Sequence, residues 1–262
     1  MTPRDILEHQ DRATLWPRRA PGAVFSDLAA AYRTALELRA LRIARGDKPA
    51  GYKIGFTNRT LWARYGVFAP IWGTVYDTTL IGDGALPLRG LCQPRLEPEV
   101  AFGIAQAPPA QPTLEQLFGC VDWLAPSFEV VQSHQDDWKF SAAESVADGA
   151  LHGALRVGQR VPVRALAASG AALDACLSGL RVQLRKNDVV VDEGDGARVL
   201  DGPLHALHHF VLELQRCPGA PSLQPGDVVT TGTWTDAWPV QAGERWRAEF
   251  GAPLSALDIG FS

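Results

Sequence analysis

The sequence predicts a β-rich α+β protein with a helical N-terminal segment. One stretch with apolar residues at helical spacing, "GAVFSDLAAAYRTALELRALRIARGD", precedes everything else. After it the pattern changes to short alternating runs split by turn residues. The 25 glycines and 19 prolines among 262 residues favour strands and turns over a helical bundle. No repeat, low-complexity tract or linker divides the chain, so residues 1–48 are read as a helical segment packed on a β-rich body of residues 49–262.

In chain order, the helix is expected to take Ser26 as its N-cap and to close at Gly46. The runs "GYKIGF", "WGTVYD", "EVAFGIA", "PSFEVV" and "ALRVG" then read as strands. So do "LRVQLRKNDVVVDEG", "GDVVTTG" and "ERWRAEF", the first of them a hairpin turning at Lys186, Asn187 and Asp188. A short helix in "DGPLHALHHFVLEL" interrupts the later strands.

The formal charge is -4, and most of the positive charge is arginine, with no basic block or aromatic-basic stripe. Nucleic acid and anionic membranes are therefore poor partners. The start of the chain has no apolar signal-like core and no run reaches membrane-spanning length, so a soluble, cytoplasmic protein is expected. Cys92, Cys120, Cys176 and Cys217 are scattered without a C-x-x-C pair, and read as reduced, buried thiols.

Chemistry enters with "QPRLEPEVAFGIA". Alternation puts Glu97, Glu99, Ala101 and Gly103 on one face of a strand and Leu96, Pro98, Val100, Phe102 and Ile104 on the other. The apolar face is core, and the small residues leave space beside the two carboxylates. Two readings fit: a wet face, which Pro98 supports by its preference for edge strands, or a site for a hard divalent cation placed between the charges. Glu129, in the apolar run "APSFEVV", offers a third ligand whose burial unpaired is costly. In "GYKIGF", Tyr52, Ile54 and Phe56 share one face and leave Lys53 on the other between Gly51 and Gly55. Lys53 is either a snorkelling surface lysine or a lysine of depressed pKa that shuttles protons or clamps an anion.

With "GYKIGFTNRT", "EPEVAFGIA", "SFEVVQSHQDDWKF", "ESVADGALHG", "GPLHALHHF", "GDVVTTGTWTDAWPVQAGERWRAEF" and the final "DIGFS" in this order, the chain resembles the 2-keto-4-pentenoate hydratase branch of the fumarylacetoacetate hydrolase superfamily. The likeness spans roughly residues 25 to 262. It implies a mixed β-sandwich roll and a Mg²⁺ or Mn²⁺ site formed by Glu97, Glu99 and Glu129. It implies catalytic roles for Lys53 and, by a weaker match, Asp77, and a substrate-lining segment at Thr231 and Gly232. The implied activity is addition of water to a 2-hydroxy-2,4-dienoate, a 2-oxo acid in its enol form, during aromatic catabolism. A homo-oligomer is implied, as is association with a related hydratase, decarboxylase or aldolase. Alternatives are a 4-oxalocrotonate-type decarboxylase, an acylpyruvate-type C–C hydrolase using His152 or His134 to activate water, and a non-catalytic partner subunit. One departure stands out. The chain reads "VADGALHG" where hydratases of this branch carry small polar groups, which makes His152 either a substrate-binding acid or base or a hydrogen-bonded surface histidine.

Other signals point elsewhere less strongly. His205 and His209 lie four apart on a helix but lack an H-E-x-x-H context, and the glycine-rich stretches lack nucleotide-binding spacing. Asp136 and Asp137 read as loop caps, and Trp138 and Phe140 as packing residues.

Overall fold

A computed structural model describes residues 1–262. The chain begins with a helix that the spacing did not announce, α1 (Pro3–Arg12). It is started by a reciprocal Thr2–Asp5 capping box with Pro3 in its first turn. Ile6 is its one buried residue, so it depends on tertiary packing more than on its own pattern. The expected helix follows as α2 (Leu28–Ala44), with Gly46 just beyond its end at φ +110. Its N-cap is Asp27 and not Ser26, because the Asp27 carboxylate accepts from both Ala29 and Ala30 N–H groups.

The body runs β1 (Pro49–Gly55), α3 (Trp62–Tyr65), β2 (Ile71–Tyr76), β3 (Ala85–Leu86), β4 (Arg95–Ile104), α4 (Leu114–Cys120) and β5 (Val121–Val131). It continues with α5 (Ala142–Ala147), β6 (His152–Val157), β7 (Val161–Pro162), α6 (Val163–Leu166) and α7 (Gly170–Ser178). Then come β8 (Arg181–Lys186), β9 (Val189–Asp195), α8 (Pro203–Arg216), β10 (Val228–Thr230), β11 (Trp238–Pro239), β12 (Arg245–Glu249) and β13 (Leu257–Phe261). The larger sheet has the order β2-β1-β10-β4-β5-β6, with β11 beside β4 and β7 beside β5. The smaller one has the order β3-β13-β12-β8-β9. Asn187 and Asp188, at φ 47 and 67, make the left-handed turn that the β8–β9 hairpin requires.

The main core joins Leu96, Val100, Phe102, Phe128 and Val130 of the larger sheet to Leu184, Trp246 and Ile259 of the smaller. Helix residues Leu117, Leu173 and Phe210 close it. A second cluster joins Ile6, Trp16, Ala31 and Leu38 to Ile71, Val146, Ala147 and Ala150, tying the N-terminal helices to β2 and α5. Cys92 and Cys120 are buried as expected, whereas Cys176 and Cys217 are half-buried, and all four thiols are free. No helix is long and apolar enough to cross a membrane.

Two local expectations change. Pro98 is not on an edge strand: β4 lies between β5 and the β10 and β11 side. Its carbonyl accepts from the Trp234 N–H in the gap between β10 and β11, so its missing donor falls where no ladder bond is due. The faces of Ala101 and Gly103 are not open either. Ala101 packs with Val75, Leu155 and Val228, and the Trp123 ring lies where a Cβ on Gly103 would be 2.0 Å away.

Candidate active site

Register places the carboxylates. In the antiparallel β4–β5 pair Glu97 stands directly opposite Glu129, and Glu99 opposite Ser127, so all three glutamates project from one face. Each offers an oxygen lying within 4.8 Å of the others'. Glu99 and Glu129 are completely buried. The wet-face reading fails for them.

β1 brings Lys53 to the same place, beneath a cavity of about 330 Å³ lined by Lys53, Glu97, Arg95 and Gly232 among others. Lys53 is 3% exposed and does not snorkel. Its Nζ lies 3.1 Å from Glu129 Oε2 and donates to the Ala150 carbonyl at 3.0 Å. That carbonyl is presented by a turn in which Gly149, Ala150 and Leu151 all have positive φ, of 68, 55 and 65. Left-handed backbone at two successive non-glycine residues is uncommon and is held here by surrounding structure. Gly73 makes this possible, since a Cβ there would come within 2.2 Å of the Gly149 carbonyl oxygen. Phe56 does not join Tyr52 and Ile54. At φ 54 the chain turns out of β1, and its ring lies 4.6 Å from that of Tyr65.

Each charge is set by its neighbours. Burial pushes the Glu97 carboxyl up to about 7 against the pull of Lys53. Burial, then Glu129 and Glu97, hold Glu99 well above the usual carboxylate range. Burial also acts on Glu129, but Lys53 and His152 outweigh it and hold this carboxyl low. Burial opposes charge on Lys53, yet the three glutamates prevail and raise its pKa, contrary to the expected depression. Lys53 is therefore held as an ammonium.

The remaining residues expected at the site separate into those that reach it and those that do not. The Gly232 N–H donates to Glu99 Oε2 at 2.8 Å. Its φ of +93, and the Thr57 hydroxyl 2.0 Å from any added Cβ, require glycine there. Thr231 faces away: its hydroxyl donates to the Val100 carbonyl. Asp77 is exposed at the end of β2, where its carboxylate accepts from the Lys48 and Thr78 N–H groups. It lies outside the cavity, so neither Asp77 nor Thr231 is placed to act on substrate. His152 is buried, but it stands behind Glu129. Its Nδ1 is 2.8 Å from Glu129 Oε1 and its Nε2 2.9 Å from the Thr79 hydroxyl, so it orients a carboxylate and does not line the cavity.

A buried pair escaped the sequence reading. His134 Nδ1 lies 2.9 Å from both oxygens of Asp148, whose carboxylate also accepts from the Gln10 side chain. His134 does not line the cavity either. Neither histidine lines the cavity, which counts against a histidine-activated water for C–C hydrolysis there. Asp136 and Asp137 pair with Arg18 and Lys139, while Trp138 and Phe140 form part of the cavity wall. His205 bonds Asp174, and no further cluster of three potential metal ligands exists.

The donors are all carboxylate oxygens, and Glu99 Oε1 is buried without any partner. Hard oxygen donors around an unsatisfied buried position suit a divalent cation of the magnesium or calcium type, not zinc. Two packed mixed sheets with such a carboxylate group at the floor of a pocket define the class: a two-layer α+β protein with the architecture of a divalent-metal enzyme. The family follows from comparison, for residues 68–260 match the model described as fumarylacetoacetate (FAA) hydrolase C-terminal, and the chain belongs to that family. It is 32% identical over 206 residues to 2-keto-4-pentenoate hydratase 1 of Dechloromonas aromatica (78% of this chain, 74% of the relative). It is 32% identical over 228 residues to 4-oxalocrotonate decarboxylase of a Pseudomonas species, strain CF600 (86% of this chain, 81% of the relative). Among solved structures, 4-oxalocrotonate decarboxylase from Pseudomonas putida G7, complexed with magnesium and adipate, superposes with a TM-score of 0.88. That match is 26% identical and covers 99% of this chain and 95% of the other.

Proposed function

We propose that the chain is a divalent-metal-dependent hydratase that adds water to a 2-hydroxy-2,4-dienoate, giving a 4-hydroxy-2-oxo acid. The observation that carries this reading is the buried Glu97–Glu99–Glu129 group with the Lys53 ammonium beside it at the pocket floor. Similarity to hydratases over most of the chain supports it.

Glu97, Glu99 and Glu129 are the residues to hold Mg²⁺ or Mn²⁺. When bound, the cation supplies a Lewis acid for negative charge that develops at the 2-oxo oxygen. Gly232 N–H and His152 fix the orientation of Glu99 and Glu129. Ketonisation of the dienol moves a proton from the 2-hydroxyl to C5, and Lys53 Nζ is assigned this transfer: it donates to C5 and recovers the hydroxyl proton. Water then adds at C4 of the unsaturated ketone.

A second reading, a 4-oxalocrotonate-type decarboxylase, is favoured by the close superposition on such an enzyme. An assay separates them. Freshly generated 2-hydroxypenta-2,4-dienoate and 4-oxalocrotonate are each offered with Mg²⁺ or Mn²⁺, following dienol absorbance and released CO₂, with Glu97→Ala as control. Metal-dependent loss of the dienol without CO₂, absent in the variant, is the expected result. Metal-dependent CO₂ release selects the decarboxylase. Neither metal binding nor turnover selects a non-catalytic partner subunit.

A pH dependence follows from the carboxyl environments. The folded Glu97 binds its proton more tightly than the unfolded chain does, near 4.5. Its contribution to the stability of the metal-free protein is therefore full below 4.5 and lost as pH rises through about 7. Cation binding needs the ionised form and runs the opposite way. Calorimetry is expected to show Mn²⁺ affinity weakening by more than about tenfold per unit of pH below 7, since Glu99 as well as Glu97 must give up a proton, with more than one proton released on binding.

We further propose that residues 1–48 act as a packing segment for the catalytic body, 49–262, supported by the cluster they share with α5. A cytoplasmic homo-oligomer, associating with a hydratase, decarboxylase or aldolase of the same route, accords with the family.

A further inference from the structure

We propose that His134 and Asp148, a buried pair outside the cavity, are positioning residues for the reaction: with Gln10 they fix the Gly149–Leu151 turn, so that the Ala150 carbonyl aims the Lys53 ammonium at the substrate. The inference rests on the proton transfer assigned to Lys53 under the hydratase reading.

His134 is completely buried and Asp148 is 1% exposed. The Asp148 carboxylate accepts three groups: the His134 backbone N–H at 3.2 Å, the His134 Nδ1–H at 2.9 Å and the Gln10 side-chain amide at 3.3 Å. Facing carboxylate oxygens, Nδ1 is the donor, and Nε2 is buried without a partner. The ring is thus held through one nitrogen. A polar pair this deep often gains nothing in stability over well-packed apolar side chains. What it adds is direction.

Asp148 stands where α5 ends and the turn begins. Gly149, Ala150 and Leu151 follow with positive φ, and the two that carry a Cβ persist there only where neighbours hold them. The turn is held at both ends. Asp148 anchors the first through its side chain, and its carbonyl accepts the Leu151 N–H at 3.2 Å. At the other end the Leu151 carbonyl accepts the Gln132 N–H at 2.8 Å. Between these anchors the Ala150 carbonyl accepts from Lys53 Nζ at 3.0 Å. Glu129, 3.1 Å away, sets by its charge where the ammonium lies, and the carbonyl sets which way its protons point. With one N–H on the carbonyl and another drawn to Glu129, the third of the ammonium's donors is left for the cavity that Lys53 lines. A turn that relaxes leaves the ammonium in place without its aim, and a misplacement of about 1 Å is enough to slow a reaction about a hundredfold.

Two readouts on the full-length protein test this. Lys53 is one of four lysines, and of the others Lys48 and Lys139 are exposed and Lys186 half-buried. In metal-free protein labelled with ¹⁵N-lysine, NMR is expected to show one Nζ signal protected from exchange with water, missing in Lys53→Met. His134→Asn keeps an N–H at the place of Nδ1 and is expected to keep that signal, whereas His134→Leu has no donor and is expected to lose it. With saturating Mg²⁺ and 2-hydroxypenta-2,4-dienoate, His134→Leu is expected to lower kcat by about tenfold or more with KM within about threefold of wild type. His134→Asn is expected to stay within about threefold in both. An unchanged signal or an unchanged kcat in folded His134→Leu, or equal losses in the two variants, overturns the proposal. If His134→Leu fails to fold, Gln10→Met removes one donor to Asp148 from the half-buried side of the pair and is expected to lower both readouts by about twofold or more. Wild-type values in Gln10→Met then overturn it. If the wild type does not consume the dienol, the hydratase reading falls alone, and the Nζ signal still decides whether the pair positions Lys53.

Discussion

Glu99→Gln is expected to abolish metal-dependent turnover while leaving the metal-free protein as stable as before or more so. The two effects separate because Glu99 is costly to the fold and necessary to the site. Its carboxyl is fully buried and held well above the usual range, first by burial and then by the neighbouring glutamates, so the metal-free fold favours its neutral form. Glutamine reproduces the shape of a protonated carboxyl and retains an oxygen for the Gly232 N–H. It removes the ability to ionise, which burial opposes in the metal-free fold and a bound cation requires. A gain of about 1 kcal/mol corresponds to a rise of about 2–4 °C in Tm for a chain of this size. Loss of a Lewis acid worth several kcal/mol lowers kcat by on the order of a thousandfold or more. Scanning calorimetry with and without Mn²⁺, beside the dienol assay, reads both. A variant that still gains Tm with Mn²⁺ and turns over normally removes Glu99 from the ligand set.

Lys53→Met is expected to damage stability and activity together. The ammonium lies among three carboxylates with its side chain 4% exposed, and Glu129 keeps its low pKa chiefly because of it. Removing one partner of a buried ion pair costs about 3–5 kcal/mol, through the charge left behind. Glu129 then takes up a proton, so the loss is larger at pH 8 than at pH 5, and urea denaturation at the two values measures it. Turnover falls by about 10²–10⁴, the usual contribution of a positioned proton donor. Lys53→Arg does not rescue it, since a planar guanidinium cannot occupy a space closed by Gly55 and the Ala150 carbonyl and deliver a proton as an ammonium does. Wild-type turnover in either variant excludes Lys53 from proton transfer.

The legible parts of the site were those that depend on alternation. Glu97, Glu99, Glu129 and Lys53 each interrupt an apolar strand pattern, and period two fixes their faces before any partner strand is known. The β8–β9 turn and α8 were legible because local chemistry specifies them. What escaped was decided at long range. Asp77 is next to a strand that lines the region, yet its carboxylate closes onto Lys48 N–H twenty-nine residues away in sequence. Thr231 and Gly232 are neighbours, but the Thr231 hydroxyl goes to β4, and the left-handed backbone at Gly232 leaves its N–H for Glu99. His152 gave no sign that register on β5 would set it behind Glu129. α1 went unseen because a helix with one buried side chain has almost no periodic signal. The aromatic wall draws Phe56, Tyr65, Trp138 and Phe140 from segments far apart in the chain, and nothing in the local pattern of any of them says that they meet.

The Gly149–Leu151 turn carries one more consequence. Ala150 has its methyl in the cluster with Ile6, Trp16 and Leu38, and its carbonyl on the Lys53 ammonium. Any sub-global opening that lifts the first two helices from α5 also withdraws that carbonyl. Protection of the α1 and α2 amides against hydrogen exchange is therefore expected to track that of the turn that presents the Ala150 carbonyl to Lys53, the proposed proton donor.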